Sequence, residues 1–259
     1  MMFTKLIDTF ILPQVQAELD SVVPQLNGRI PYETNIVEWL KPMVDLSDFY
    51  VYPVNGITEA INWWSNIETR SVRRDASDYE WVDYNKVLTP RNTVAYLSCP
   101  NSFDGNYTDV PKDIPLVLDL AYVGCCPVKP IKITPNIERV FYSLSKSFGV
   151  SNIRTGWYFT RRPDAKLHKL NIEAAYYNRV ANQYAEHLIN TFDINYIHTE
   201  LVDIQHSVCE QHNLTPSDAV WLATSTDEAY SDYRRKHNNN VGRLCITNLI
   251  KEQYEKRSK

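Results

Sequence analysis

Glycine is scarce in this chain. The 259 residues include only 7 glycines, well below the average usage of about 7 %. Because glycine tolerates backbone conformations that are closed to other residues, each of the few glycines marks a place where the backbone needs one. Gly56, Gly105, Gly149 and Gly156 therefore direct attention to the segments that contain them.

Other absences exclude whole classes of protein. The formal net charge is −4 and the isoelectric point is about 5.9, so the basic surface of a nucleic-acid-binding protein is lacking. No apolar run approaches the roughly 20 residues of a transmembrane helix, and the N-terminus lacks the pattern of a secretory signal. The five cysteines are an odd number without metal-type spacing. They predict reduced thiols in a cytoplasmic protein and no metal site. No membrane partner is expected, because no long apolar run is present.

The most informative stretch is Val140–Trp157, with the sequence VFYSLSKSFGVSNIRTGW. It begins as a β-prone apolar run and then becomes polar. A lysine reacts as an amine only after it loses its proton, and enclosure beside other cations favours that loss. Hydroxyls and a guanidinium are suitable ligands for a phosphate monoester. The alternative is a serine-rich loop with an ordinary solvated lysine. The polar residues are Ser143, Ser145, Lys146, Ser147 and Arg154.

A second segment, Ile114–Gly124, predicts a buried strand. Leu116–Leu118 is a continuous apolar run of the kind that is buried on both faces of a sheet. The run ends at Asp119, and a carboxylate at the end of a buried strand needs a partner. The alternative is that Asp119 only caps the following turn.

A third segment changes from strand to helix at a glycine. Phe49–Val54 predicts a strand, and Asn55–Ile61 contains Gly56 at the start of a helix. A helix N-terminus offers backbone N–H groups and a positive dipole end to an anion. No GxGxxG or Walker pattern indicates a nucleotide. Thr58 could equally act as a simple N-cap, which is compatible with an anion site.

These three segments resemble motifs of the fold-type I, pyridoxal-phosphate-dependent aminotransferases. The resemblance is to the class I/II branch that includes histidinol-phosphate aminotransferase. Ser-x-Ser-Lys followed by Arg-x-Gly is similar to the cofactor-lysine region, Asp-x-Ala-Tyr at 119–122 to the ring-binding strand, and Gly-x-x-Glu-x-Ile at 56–61 to the phosphate cup. The motifs run in family order, but relatives usually exceed 300 residues, so this chain resembles a miniature version.

The resemblance implies an α/β protein with the aspartate aminotransferase-like fold. A mainly parallel sheet wrapped by helices would be followed by a small C-terminal α+β domain. The implied domains are an N-terminal arm at 1–34, a large cofactor-binding domain at 35–165, and a connecting helix with the small domain at 166–259. Within this scheme, residues 1–30 and 167–192 predict helices, and 230–236 predicts a short helix before a turn at 238–240.

The resemblance also implies a role for each motif residue around pyridoxal 5'-phosphate. Lys146 would form the Schiff base with the cofactor, Asp119 would pair with the pyridine nitrogen, and Tyr122 would donate to the phenolic oxygen. The remaining residues would hold the cofactor phosphate: Gly56, Ile57, Thr58, Ser143, Ser145 and Arg154.

Three further positions are similar to family elements. Tyr79 would stack on the pyridine ring, with Trp81 as the alternative. Asn101 would contact the phenolic oxygen, with Ser102 as the alternative one register step away. Arg243, which opens a β-prone run near the C-terminus, would hold the substrate carboxylate in a bidentate fork. Tyr32 is expected to be a plain surface aromatic.

The implied activity is transamination between an amino acid and a 2-oxo acid. Decarboxylation, elimination or cyclisation on the same scaffold stays open, as does a degenerate, non-catalytic member of the fold. Family sites lie at dimer interfaces, and a helix carrying Phe10, Ile11, Val15 and Leu19 needs a surface to bury against. A homodimer with residues 1–32 in its interface is therefore expected.

Overall fold

A computed structural model describes residues 3–85, 93–235 and 238–257. Its centre is a six-stranded sheet, in which only one strand runs opposite to the others. The spatial order is β1-β6-β5-β4-β3-β2, with β6 antiparallel to both β1 and β5 and the β5-β4-β3-β2 pairs parallel. The predicted mainly parallel α/β sheet is confirmed. The strands are β1 (Tyr50–Val54), β2 (Ser71–Arg74), β3 (Thr93–Ser98), β4 (Leu116–Asp119), β5 (Ile137–Tyr142) and β6 (Gly156–Thr160).

Burial along the strands follows their position in the sheet. All four residues of the central strand β4 are buried, as its uninterrupted apolar run predicts. In β3 buried residues alternate with partly exposed ones, and Val94, Tyr96 and Ser98 are the buried set. Since side chains alternate between faces along a strand, these three residues share one face.

Helices cover the sheet and connect it to the C-terminal part of the chain. Short 3₁₀ segments lie at Glu80–Asn85 and Glu228–Tyr233, and a π-helical turn lies at His168–Glu173. In the described residues no helix has the length and apolar character needed to cross a membrane. The helices are α1 (Pro13–Ser21), α2 (Ile36–Leu40), α3 (Ile57–Ile67), α4 (Leu144–Ser147), α5 (Ala165–Leu167), α6 (Arg179–Thr191), α7 (Tyr196–Gln211) and α8 (Thr247–Arg257).

The prediction of one continuous helix over residues 167–192 is wrong. The chain leaves helical conformation between the π-helical turn and α6, and Ala175 has a φ of 53°, in the left-handed region that non-glycine residues rarely enter. Asn178 then begins a new helix, because its side chain accepts a hydrogen bond from the Ala181 N–H at 3.1 Å. This N-cap competes with helix continuation.

The N-terminal segment is helical only in part. Helix α1 begins at Pro13, a favoured first helical residue, and residues 5–12 are not helical. Val15 and Leu19 are buried within the chain, where α1 packs on α6. Phe10 packs edge-on against Trp221, with ring centroids 5.5 Å apart. The apolar face that was expected to need a partner subunit is therefore largely covered by the chain itself.

A smaller antiparallel sheet forms the C-terminal part. Its order is β7-β8-β10-β9, and Thr4 makes an additional bridge to Cys245. The expected turn at 238–240 is wrong, because these residues are part of a strand whose ladder pairing overrides the low β-propensity of asparagine. The expected helix at 230–236 is a 3₁₀ segment that ends at Tyr233. The strands are β7 (Thr215–Pro216), β8 (Leu222–Ser225), β9 (Arg234–Arg235) and β10 (Asn238–Cys245).

Candidate active site

A cavity of about 750 Å³ lies at the carboxyl ends of β1 to β5. Its volume is in the range of small-molecule and cofactor sites, and its position is the one that open α/β sheets favour for ligands. Gly56 and Asn101 are absent from its wall. The predicted site residues that line the cavity are Ile57, Thr58, Tyr79, Asp119, Tyr122, Ser143, Ser145, Lys146, Arg154 and Arg243.

One end of the cavity is formed by the start of α3, and we call it the phosphate end. Two glycines bring the backbone and a cation close together there. A Cβ on Gly56 would lie 2.9 Å from Arg154 Nη2, and a Cβ on Gly156 would lie 2.8 Å from the Gly56 Cα. Arg154 Nη2 donates to the Asn55 carbonyl at 2.8 Å. Gly56 therefore contributes space for the guanidinium and does not itself line the cavity.

Helix α3 presents its N-terminus to this end. Gly56, with a φ of 83°, is the N-cap residue, so the alternative of an N-cap at Thr58 is wrong. The Glu59 side chain turns back and accepts hydrogen bonds from the backbone N–H and the side-chain amide of Asn55. The helix dipole, the guanidinium of Arg154 and the nearby hydroxyls together suit an anion.

Lys146 lies in α4, a single helical turn that directly follows β5. Trp221 Nε1 donates to the Lys146 carbonyl at 2.8 Å, and this bond fixes the backbone from which the side chain extends. Lys146 Nζ lies 5.9 Å from the centroid of the Tyr122 ring. Burial lowers the pKa of the Lys146 ammonium, and the cation of Arg243 adds to that shift. The lysine is thus enclosed and disposed to lose its proton, unlike an ordinary solvated lysine.

Asp119 lines another part of the cavity, at the end of β4, and we call this part the ring end. The residue is 2 % exposed. Its Oδ2 accepts a hydrogen bond from the Tyr96 hydroxyl, and its Oδ1 accepts one from the Ala121 N–H at 2.8 Å. Burial raises the pKa of Asp119 to about 7, even though the Tyr96 hydrogen bond opposes that rise. Asp119 therefore caps the next turn and lines the cavity at the same time.

Arg243 joins three separate segments of the chain at the cavity. The residue is 5 % exposed. Its Nη1 donates to the Ser102 carbonyl at 2.5 Å, and its Nη2 donates to the Lys5 carbonyl at 2.7 Å. These bonds hold the planar guanidinium in one orientation, which is the condition for bidentate recognition of a carboxylate.

The loop after β3 brings Ser102 to the cavity and turns Asn101 away from it. Asn101 Oδ1 accepts hydrogen bonds from the N–H groups of Phe103 and Asp104, both at 2.9 Å. Its Nδ2 donates to the Asn106 carbonyl at 3.0 Å. Asn101 thus shapes its own loop, whereas Ser102 lines the cavity.

The predicted aromatic residues differ in their surroundings. Tyr79 is 39 % exposed and lines the cavity. Trp81 donates from its Nε1 to Asn62 Oδ1 at 2.9 Å, outside the cavity wall. The expectation for Tyr32 is corrected, because its ring is half-buried and packs edge-on against Tyr177 with centroids 5.3 Å apart.

Several residues in the cavity wall or directly behind it were not predicted. Asp78 is 4 % exposed, and its carboxylate accepts hydrogen bonds from the hydroxyls of Ser98 and Ser102 at 2.5 and 2.8 Å. Tyr96 reaches Asp119 from the neighbouring strand. Lys5–Ile7 line the cavity. The alternation of β3 could have placed Tyr96 and Ser98 on one face, but no motif in the sequence links Asp78 or the N-terminal segment to the site.

Comparison with known proteins identifies the fold. An aminotransferase structure from Staphylococcus aureus matches with a TM-score of 0.65 at 13% identity, over 99% of this chain and 92% of that chain. Histidinol-phosphate aminotransferase from Sinorhizobium meliloti, solved with pyridoxal 5'-phosphate, matches with a TM-score of 0.65 at 12% identity, over 99% and 90%. L-threonine-O-3-phosphate decarboxylase from Porphyromonas gingivalis matches with a TM-score of 0.56 at 15% identity, over 99% and 98%.

These likenesses show that the chain has the aspartate aminotransferase-like fold of the fold-type I pyridoxal-phosphate enzymes, which confirms the fold predicted from the motifs. No family model matches the sequence, and no curated protein matches it.

Proposed function

We propose that this chain is a pyridoxal-phosphate-dependent aminotransferase that moves an amino group between an amino acid and a 2-oxo acid. One observation carries the proposal. A single cavity brings together an enclosed lysine (Lys146), a buried carboxylate (Asp119), an anion site around Arg154, and an arginine held for a carboxylate (Arg243). These groups come from segments that are far apart in the sequence.

The residues present fit the cofactor. The start of α3 and the guanidinium of Arg154 suit the phosphate, and the close approach of Gly56 and Gly156 leaves no room there for a Cβ. Thr58, Ser143 and Ser145 would add hydroxyl ligands. At the other end, Asp119 would hold the proton of the pyridine nitrogen. When bound, pyridoxal phosphate supplies an electron-withdrawing ring that stabilises negative charge on the substrate Cα.

The chain's own groups then have separate tasks. The lowered pKa of Lys146 lets its Nζ serve as the point of covalent attachment and move a proton at the substrate Cα. Arg243 would hold the substrate carboxylate and so fix the orientation of the bond that must break. The Tyr122 hydroxyl would donate to the phenolic oxygen of the cofactor. Tyr79 would lie against the ring.

A second candidate is a different reaction on the same residues. Proteins of similar fold include a C-S lyase from Staphylococcus hominis, at 13% identity with a TM-score of 0.64 over 97% of this chain and 91% of that chain, as well as the decarboxylase above. Lysine, aspartate and arginine serve elimination, decarboxylation and cyclisation as well as transamination, so the reaction must be distinguished by its products.

Incubation of the cofactor-loaded protein with a panel of amino acids distinguishes these reactions. Transamination should convert the bound cofactor to pyridoxamine phosphate and release one equivalent of 2-oxo acid. Carbon dioxide, or ammonia or sulfide without pyridoxamine phosphate, would identify decarboxylation or elimination instead. If the protein takes up no cofactor at millimolar pyridoxal phosphate, it is a non-catalytic member of the fold.

We further propose that the protein is a twofold homodimer whose interface includes residues 1–32. Leu6, Val23 and Leu26 support this, because these apolar residues of the segment are 83, 88 and 66 % exposed and exposed apolar surface favours an interface. The interface should bury well over about 1,200 Å² in total. Light scattering at micromolar concentration should give the dimer mass. A monomer that still turns over would refute a shared site.

A further inference from the structure

The carboxylate of Asp119 at the ring end is hydrogen-bonded to a tyrosine on the neighbouring strand, Tyr96. The Tyr96 hydroxyl donates to Asp119 Oδ2, while Asp119 Oδ1 accepts from the Ala121 N–H. Tyr96 pairs with Val117 in the β3–β4 register, so its side chain reaches two residues along the neighbouring strand. Both carboxylate oxygens are thereby engaged, which sets the plane of the carboxylate.

The phenol ring is rigidly held. Tyr96 is 2 % exposed and stacks on Trp64 of α3, with ring centroids 6.3 Å apart and an angle of 19° between the planes. Trp64 in turn donates from its Nε1 to Glu68 Oε2 at 3.1 Å. The ring that carries this hydroxyl therefore packs on the helix whose N-terminus forms the phosphate end.

Groups of both signs face Asp119. Lys146 and the Ala121 N–H favour the ionised carboxylate, whereas burial and the carboxylate of Asp78 oppose it. Asp78 cannot turn away, because its oxygens accept hydrogen bonds from the Ser98 N–H, at 2.8 Å, and from two hydroxyls. Two buried carboxylates thus lie near each other, and the site needs a fixed donor to keep Asp119 charged.

We propose, on the basis of the function proposed above, that Tyr96 is a positioning residue that orients Asp119 and keeps it ionised for the ring nitrogen. A phenol suits this task, because burial raises the pKa of Tyr96 well above its ordinary value, so the hydroxyl keeps its proton. It therefore remains a donor to Asp119 as that carboxylate ionises.

The test removes this one hydroxyl. In Tyr96→Phe the pKa of Asp119 should rise by about one unit, a roughly tenfold change in the ratio of acid to carboxylate. Carbon-13 NMR of the full chain labelled at the aspartate carboxyl measures this directly, with Asp119→Asn to assign the signal. After addition of pyridoxal phosphate, nitrogen-15 NMR should show a less protonated ring nitrogen, and kcat should fall with little change in KM.

Tyr158→Phe is the matched control. Tyr158 lies in the same sheet, is 1 % exposed, stacks on Phe141 and accepts a hydrogen bond from Arg139 Nε at 2.8 Å. Its hydroxyl is likewise bonded to a charged group, but that group is Arg139 and not Asp119. Loss of this hydroxyl should leave the Asp119 titration unchanged.

An unchanged Asp119 pKa in Tyr96→Phe would overturn the proposal. If that variant does not fold, site-specific 3-fluorotyrosine at position 96 replaces it, because fluorine makes the phenol a stronger donor and should lower the Asp119 pKa; no shift there would overturn the proposal equally. The titration is performed on the chain without added cofactor. A failure to take up pyridoxal phosphate would therefore refute the proposed function and leave the Tyr96 test intact.

Discussion

The phosphate end and the ring end of the cavity are built in opposite ways. The phosphate end uses backbone, short hydroxyl side chains and one arginine, and the residues of each contributing motif are close together in the sequence. The ring end uses buried side chains, Asp78, Tyr96 and Asp119, that come from three successive parallel strands or the loops after them. An anion site can thus be read from local motifs, whereas a buried carboxylate depends on partners that only the sheet register brings together.

The two ends also differ in electrostatics. At the phosphate end a guanidinium and a helix N-terminus carry positive charge, and an anion that binds there is stabilised by both. At the ring end a carboxylate is buried beside another carboxylate, and the pKa of Asp119 is raised to about 7. Removal of the charge at the ring end should therefore lower the rate of the reaction but raise the stability of the folded chain. Removal of the charge at the phosphate end should mainly weaken cofactor binding.

The largest expected effect comes from Lys146, which lines the same cavity. Lys146→Ala removes both the attachment point and the group that moves the proton. Turnover should fall by about 10³-fold or more, as measured with the best amino donor from the panel. Lys132→Ala, at an exposed lysine, is the control and should retain full activity. Near-normal turnover in the Lys146 variant would place the chemistry on another residue.

Asp119→Asn should have the next largest effect on activity. The amide keeps the shape but cannot hold the pyridine proton, so kcat should fall by about 10²-fold or more while the cofactor stays bound. Survival of turnover within about tenfold, or ~1.4 kcal/mol, would reduce Asp119 to a structural cap. Asp113→Asn, at an exposed aspartate, should have no effect.

The same variant should stabilise the cofactor-free protein. Burial raises the pKa of Asp119 from an ordinary 3.8 to about 7, so between these values the folded state binds more protons there than the unfolded state. Folding stability from this residue therefore falls as the pH rises through that window. The stability gain in Asp119→Asn should grow by up to about 1.4 kcal/mol per pH unit across it. Urea unfolding at pH 4 and at pH 8 measures the difference, and a gain that is equal at both would contradict the assigned pKa.

Arg154→Gln tests the phosphate end. Loss of the guanidinium removes a charge-assisted contact worth about 1.5–3 kcal/mol, so the Kd for pyridoxal phosphate should rise roughly 10–100-fold. At saturating cofactor, kcat should change much less than in the Asp119 variant. Fluorescence titration with the cofactor measures the affinity, and the exposed Arg162→Gln is the control. A large loss of kcat at saturating cofactor would contradict the claim that the phosphate end affects cofactor affinity and not the chemical step.

The smallest expected effects separate Asn101 from Ser102. Asn101→Ala removes hydrogen bonds within its own loop and should cost about 1 kcal/mol of stability without changing cofactor affinity. Ser102→Ala changes a residue on the cavity wall and should shift the absorbance of the bound cofactor. If Asn101→Ala changes the bound cofactor and Ser102→Ala does not, Asn101 is the residue that contacts the cofactor.

The sequence predicts the parts of this site that depend on local order. A serine-flanked lysine after a strand, an aspartate ending a buried apolar run, and a glycine between strand and helix each carry their own physical reason. The prediction of a continuous helix at 167–192 is wrong because Ala175 adopts a left-handed conformation. The apolar periodicity of the segment does not indicate that conformation. Tyr96 could not be linked to Asp119 without the β3–β4 register, nor Asp78 without the β2–β3 register. Lys5–Ile7 line the cavity next to the bridge between Thr4 and Cys245 of β10, which no local pattern predicts.

Covalent mapping of the cofactor tests the central claim most directly. The purified chain is loaded with pyridoxal phosphate, reduced with borohydride and digested, and the modified peptide is identified by mass spectrometry. The modification should lie on Lys146, and Lys146→Ala should yield no modified peptide. A modification on another lysine that persists in Lys146→Ala, or no modification of the wild-type chain, would contradict the account.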